Sequence, residues 1–265
     1  MKELKIKDIN VKIFGEDNPQ AIIFVHAFPF CNRMWDPQAE ALEKEFKVIT
    51  YDLRSFGYSS PDYNLTIDSH VDDLFSVMEN LNLEKPVICG LSMGGYITLR
   101  ALERGQGKFK TAVLCDTRSE ADTNEGKIKR AEQISTIKAG GLQDFISAFL
   151  KGALSEKTLN GNESKKNIAE FLKEIINWQS PEGICTALMT LASRTDTTPF
   201  LEKINLPVLI MAGEDDKLTP PELSKAMHSK IKNSQLQIIP DAGHMSNIEN
   251  SNEFNKYLLN FLKSI

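Results

Sequence analysis

The sequence predicts an α/β fold, a mostly parallel sheet with helices on both faces, interrupted by a helical insertion. Three observations predict it. Six short apolar runs, at 21–25, 47–51, 86–91, 111–115, 207–212 and 235–239, recur along the chain, and most are apolar on both faces. Strands covered by helices on both sides have that composition. Helical patterns separate the runs, and strand–helix alternation joins neighbouring strands by crossovers that set them parallel. Between Asp116 and Pro207, about ninety residues pass without a convincing strand. A structureless loop of that length does not belong inside a compact domain, so an inserted helical subdomain is expected.

Taken in order, residues 1–7 alternate charged and apolar side chains, a strand pattern rather than the apolar stretch of a signal peptide. Residues 4–7 and 11–14 read as an antiparallel hairpin on one edge of the sheet. Helices are expected at 34–45, 67–81, 94–104, 221–231 and 252–262. In 67–81, Ile67, Val71, Leu74, Phe75, Met78 and Leu81 mark one face at helical spacing. Within the insertion, helices are expected at 126–138, 142–153, 165–178 and 181–193. The division is a core of residues 1–117 and 200–265 with a helical cap of residues 118–199. Trp35 is expected to pack a helix on the sheet.

Composition narrows the function. With 41% hydrophobic and 25% charged residues, the chain has ordinary globular usage, which excludes disorder and low complexity. The net charge of −5 is spread over both halves without a like-charge run, so a nucleic-acid partner is not expected. No run approaches the ~18 apolar residues of a membrane span. Cys31, Cys89, Cys115 and Cys185 form no CxxC, and Cys89 and Cys115 lie inside apolar runs, which fits a reducing, cytoplasmic location. The four histidines are scattered without an H-x-x-x-H spacing, so no metal site and no cofactor are expected.

The sharpest chemical signal is Gly90-Leu91-Ser92-Met93-Gly94-Gly95, placed after a predicted strand and before a predicted helix. A serine on such a tight turn needs small neighbours, and glycines two before and two after supply the clearance. The plainer reading is a turn serine among packing glycines. A serine hydroxyl is a poor nucleophile at neutral pH and needs a base, itself held in one tautomer by an acid. His244, on the loop after the last strand, reaches the same sheet edge as Ser92, and His26, at the end of the 21–25 strand, is its rival. His70 and His228 read as solvated surface histidines on helices. For the acid, Glu214, Asp215 and Asp216 compete after the 207–212 strand, with Asp116 as an outsider.

These residues resemble the α/β-hydrolase superfamily, and more narrowly its cofactor-free serine esterases and enol-lactone hydrolases. The resemblance covers nearly the whole chain. It rests on Val25-His26-Ala27-Phe28-Pro29, Tyr51-Asp52-Leu53-Arg54-Ser55-Phe56-Gly57, the Ser92 turn, the block from Gly213 to Pro220, and Gly243-His244-Met245-Ser246-Asn247. It implies a mostly parallel sheet of about eight strands with an inserted cap. It also selects Asp216 as the acid and His244 as the base, with the backbone N–H groups of Phe28 and Met93 as the oxyanion hole. His26 then braces the Phe28 loop. Two departures stand out: Ala27 and Ser55 occupy positions where the family usually has glycine.

The expected activity is a carboxylic-ester or lactone hydrolase for small to medium substrates, working as a monomer or homodimer. A narrower reading is a 3-oxoadipate enol-lactonase-like enzyme, whose carboxylate-bearing substrate would want Arg118, Arg130 or Arg194. Perhydrolysis is an expected side reaction, and a slowly turning-over ligand receptor is the alternative from a different class. Phe145, Phe149, Trp178, Leu188 and Met189 are the candidates to line the pocket.

Overall fold

The computed structural model describes residues 1–265. Eight strands, β1 (Lys2–Ile6), β2 (Ile9–Phe14), β3 (Ala21–Val25), β4 (Lys47–Tyr51), β5 (Val87–Leu91), β6 (Thr111–Cys115), β7 (Val208–Gly213) and β8 (Ser234–Ile239), form one sheet in the order β1-β2-β4-β3-β5-β6-β7-β8. The β1–β2 and β2–β4 pairs are antiparallel and every other pair is parallel. The predicted edge hairpin is therefore present, with β2 joining the parallel body through β4. Every residue of β5, β6 and β7 is buried, as a sheet covered on both faces requires.

Helices α1 (Asp36–Leu42), α2 (Ile67–Asn80) and α3 (Met93–Gly105) follow β3, β4 and β5. Between β6 and β7 the chain inserts α4 (Asn124–Lys138), α5 (Leu142–Ala153), α6 (Glu156–Asn160), α7 (Glu163–Asn177) and α8 (Pro181–Ala192). The chain closes with α9 (Pro221–Lys230), α10 (Ser246–Glu249) and α11 (Ser251–Lys263). Trp35 is fully buried, its ring 4.7 Å from Phe24 of β3 and 6.3 Å from Phe254 of α11, so it does pack helix to sheet.

Three details differ from expectation. The helix expected at 34–45 is a 3-10 turn, Asn32–Trp35, running into the shorter α1, whose first turn holds Pro37. Proline lacks the N–H that an interior position must donate, so the α-helix starts around it. Helix α6 was not expected, because five residues are too few to show a periodicity; Ser155 caps it by accepting the Thr158 N–H. His70 is fully buried, not a surface histidine. It lies in the apolar stripe between Ile67 and Leu74, and neither ring nitrogen has a hydrogen-bond partner. Burial first, with the neighbouring His26 and Arg54 charges adding to it, pushes the His70 imidazole down to about 3. His228 is exposed, as expected.

The two non-glycine departures also separate. Ala27 keeps a negative φ, so an alanine stands there without the strain of the left-handed region. Ser55 has φ 68°, a region that costs a side chain about 1 kcal/mol or more. Its hydroxyl offsets that cost by donating to the Asp62 carbonyl (2.7 Å) and accepting the Asp62 N–H (2.9 Å).

Candidate active site

Ser92 stands between β5 and α3 with φ 55° and ψ −113°, a strained conformation for a residue with a side chain. Its surroundings over-determine it. The Ser92 N–H donates to the Cys115 carbonyl (2.9 Å), and the Thr117 hydroxyl donates to the Ser92 carbonyl (2.9 Å). The flanking glycines are needed for space. A Cβ on Gly90 would stand 2.2 Å from the Gly94 carbonyl oxygen, and one on Gly94 would stand 2.1 Å from that of Val25.

His244 follows β8, and its Nε2 is 2.8 Å from Ser92 Oγ. Its Nδ1 is 2.8 Å from Asp216 Oδ2, and both residues are almost fully buried. The other oxygen of Asp216 accepts the N–H groups of Leu218 (2.8 Å) and Thr219 (2.9 Å), while Oδ2 also accepts the Thr219 hydroxyl (2.7 Å). That leaves Nδ1–H as the proton facing Asp216, and Nε2 as the acceptor facing Ser92. Burial by itself would push the His244 imidazolium down. The Asp216 charge and hydrogen bond more than offset this, so His244 holds its proton above the ordinary value of 6.5. For Asp216, burial pushes up, and His244 and Thr219 bring the carboxyl below its ordinary range.

The rival acids are elsewhere. Glu214 and Asp215 are exposed on the same turn. Asp116 is fully buried at the end of β6, with one oxygen accepting the Gly213 N–H (2.7 Å) and the other the Ser246 hydroxyl (2.5 Å). Burial first, and the nearby Asp216 charge second, raise its carboxyl well above the ordinary range. The rival base, His26, accepts the Leu53 N–H at Nε2 (2.9 Å) and donates from Nδ1 to the Ala27 carbonyl (2.9 Å). It ties the loop after β3 to the loop after β4.

On that loop the Phe28 N–H makes no hydrogen bond within the chain. Met93 is the first residue of α3, where N–H groups have no intrahelical partner. Both flank the turn that carries Ser92. The base loop is also anchored to the insertion. The His244 N–H donates to the Ala153 carbonyl (2.7 Å), and Glu249 accepts the N–H groups of Gly243 (2.9 Å), Met245 (3.3 Å) and Ser155 (2.9 Å).

Ser92 and His244 open into a cavity of about 190 Å³, roughly six water molecules' share of liquid volume. Phe28, Tyr96, Phe149, Leu191 and Leu218 give it apolar lining, and Arg118, Asp122, Lys129, Arg130 and Arg194 give it charged lining. Of the side chains expected to line it, Phe149 does. Phe145 is buried one layer behind, its ring 6.2 Å from Phe28 and 6.1 Å from Phe149. Leu188 is fully buried away from the cavity, Met189 is exposed, and Trp178 stands at the surface with its ring 4.6 Å from Tyr58. Gly126, Lys129, Arg130 and Gln133 of α4 do border it. Arg130 is among the candidate cations, and the i, i+3, i+4, i+7 spacing that places all four on one helix face is the signal for the other three.

No group of three or more His, Cys, Asp or Glu side chains converges as a metal-ligand set, and the four cysteines are free. No helix is long and apolar enough to cross a membrane.

Comparison with known proteins gives concordant results. A family model described as the alpha/beta hydrolase fold matches residues 20–251. The chain is 31% identical over 259 residues to 3-oxoadipate enol-lactonase 1 of Acinetobacter baylyi, covering 98% of this chain and 94% of that one. A solved thermophilic esterase from Thermogutta terrifontis is 30% identical and superposes with a TM-score of 0.93, covering 100% of this chain and 99% of that one. A bromoperoxidase from Bacillus anthracis is 27% identical with a TM-score of 0.85, covering 99% of each chain.

Proposed function

The chain belongs to the alpha/beta hydrolase fold family, and on that premise we propose that it is a serine hydrolase of small carboxylic esters and lactones. The observation that carries this is the unbroken line from Ser92 Oγ through His244 to Asp216, two contacts of 2.8 Å each. In this reading Ser92 Oγ attacks the ester carbonyl while His244 Nε2 takes its proton. Asp216 holds the tautomer and stabilises the imidazolium. The N–H groups of Phe28 and Met93 receive the developing oxyanion, a contribution of about 2.7–4 kcal/mol per donor where such donors have been removed from other enzymes. His244 then protonates the leaving alkoxide, and the acyl-enzyme forms. Water, deprotonated by the same His244, attacks it, and the carboxylic acid leaves as Ser92 regains its proton.

The insertion, residues 118–199, acts as a lid in this account, because Arg118, Asp122, Lys129, Arg130, Phe149, Leu191 and Arg194 all come from it and all border the cavity. The small cavity supports short substrates. The named lactonase relative supports the lactone arm. The likeness to a bromoperoxidase favours a second use of the same site, in which hydrogen peroxide replaces water and the acyl group leaves as a peroxy acid.

The test is hydrolysis of p-nitrophenyl esters from acetate to octanoate by the wild type and Ser92→Ala. Turnover that favours the short chains and falls by several orders of magnitude in Ser92→Ala is expected. Turnover retained by Ser92→Ala would overturn the nucleophile. Stoichiometric p-nitrophenol release without turnover would favour a receptor that acylates once.

A further inference from the structure

The Asp216 carboxylate has four hydrogen-bond contacts, and two of them come from one residue. Oδ1 accepts the N–H groups of Leu218 (2.8 Å) and Thr219 (2.9 Å), while Oδ2 accepts the Thr219 hydroxyl (2.7 Å) and faces His244 Nδ1 (2.8 Å). Thr219 is thus the one side chain besides His244 that bonds this carboxylate. Its hydroxyl oxygen is also 3.2 Å from His244 Nδ1, so Thr219 Oγ1, Asp216 Oδ2 and His244 Nδ1 close a triangle. An ionised carboxylate only accepts, so the hydroxyl proton points at Oδ2 and the hydroxyl oxygen turns a lone pair towards Nδ1–H.

The sequence holds that hydroxyl still. Thr219 precedes Pro220, and a residue before proline is confined to extended backbone. Branching at Cβ stiffens its χ1. Thr219 is buried, and it borders the cavity shared by Ser92 and His244, on which Asp216 has no face. The hydroxyl therefore fills the side of Oδ2 that His244 leaves open.

Resting on the serine-hydrolase reading, we propose that Thr219 is a positioning residue for the catalytic base. Its hydroxyl fixes the Asp216 carboxylate and gives His244 Nδ1–H a second acceptor. The ring then keeps Nε2 on Ser92 Oγ while it takes up a proton and returns it. Thr219 takes no proton itself, and its effect falls on rate and not on substrate binding.

The test sets Thr219→Val, the same shape without the hydroxyl, beside Thr219→Ala and Thr219→Ser on p-nitrophenyl butyrate. Both hydroxyl-free variants are expected to lose about tenfold or more in kcat, the scale of one hydrogen bond to a charged group, with KM little changed. Thr219→Ser restores most of kcat. A Thr219→Val that keeps the wild-type kcat, or a Thr219→Ser as slow as Thr219→Val, overturns the proposal. Proton NMR reads the contact itself: the low-field Nδ1–H resonance of the wild type should move and broaden in Thr219→Val. A resonance left unchanged there overturns the role even if turnover falls. If the wild type turns over no ester, the hydrolase reading fails instead, and the same resonance decides the role of Thr219 alone.

Discussion

Replacing Asp216 by Asn changes one atom of the chain linking Asp216 to Ser92, and the structure fixes which one. Oδ1 accepts two backbone N–H groups, from Leu218 at 2.8 Å and Thr219 at 2.9 Å. Turning the amide NH2 towards them would leave two buried donors facing donors, at about 1–3 kcal/mol each. The carboxamide oxygen is therefore held there, and the NH2 takes the place of Oδ2, 2.8 Å from His244 Nδ1. It donates, so Nδ1 must accept and the ring proton moves to Nε2. Nε2 then donates towards Ser92 Oγ and cannot take its proton. The equivalent substitution in serine proteases lowers kcat about ten-thousandfold, about 5.4 kcal/mol of barrier. The same loss in kcat/KM on p-nitrophenyl butyrate is expected here, with the fold intact by circular dichroism. Asp215→Asn, at an exposed side chain one residue away, stays within about threefold of the wild type, in line with the small effects of surface substitutions. Loss of less than tenfold in Asp216→Asn, or a greater loss in Asp215→Asn, would refute the reasoning.

Three further outcomes follow from the same geometry. His244 must be neutral to act as a base and its imidazolium is held above 6.5, so kcat/KM should fall as pH drops through a midpoint above 6.5; a midpoint at or below that value contradicts the ion pair. Asp116→Asn offers its carbonyl to the Gly213 N–H and an N–H to the Ser246 hydroxyl, so kcat/KM should hold within about fivefold, whereas Asp116→Ala leaves a buried N–H unpaired and costs about 1–3 kcal/mol in urea unfolding. Severe loss of turnover in Asp116→Asn alone would make it the catalytic acid. Glu249→Ala strands the N–H groups of Gly243, Met245 and Ser155. At about 1 kcal/mol or more for each, it should lose about 3 kcal/mol and loosen the His244 loop; a Tm within two degrees or so of wild type would show the clamp to be idle.

The strands were legible because β5, β6 and β7 are apolar on both faces, a composition that few other environments accept. Ser92 was legible because its turn demands glycine at 90 and 94, where any Cβ meets backbone oxygen. Choosing among Glu214, Asp215 and Asp216 was not possible from residue types. The Asp216 N–H reaches back to the Gly213 carbonyl (3.2 Å), and that turn directs Asp216 inwards while leaving its neighbours in water. The cavity wall was only partly legible. Arg118, Arg130 and Arg194 were foreseen as cations for a carboxylate, yet Trp178 and Met189 stand at the surface, because size and apolarity alone do not say which face of a helix turns inwards. His70 escaped because a polar residue inside an apolar stripe looks like its boundary.

The most direct test of the central claim is to treat the protein with a fluorophosphonate that mimics the tetrahedral intermediate and locate the adduct by peptide mass spectrometry. One phosphonyl group on Ser92 is expected, with loss of esterase turnover in proportion to labelling and no adduct in Ser92→Ala. A protein that hydrolyses esters while Ser92 remains unlabelled, or that carries the adduct on another residue, would contradict the account.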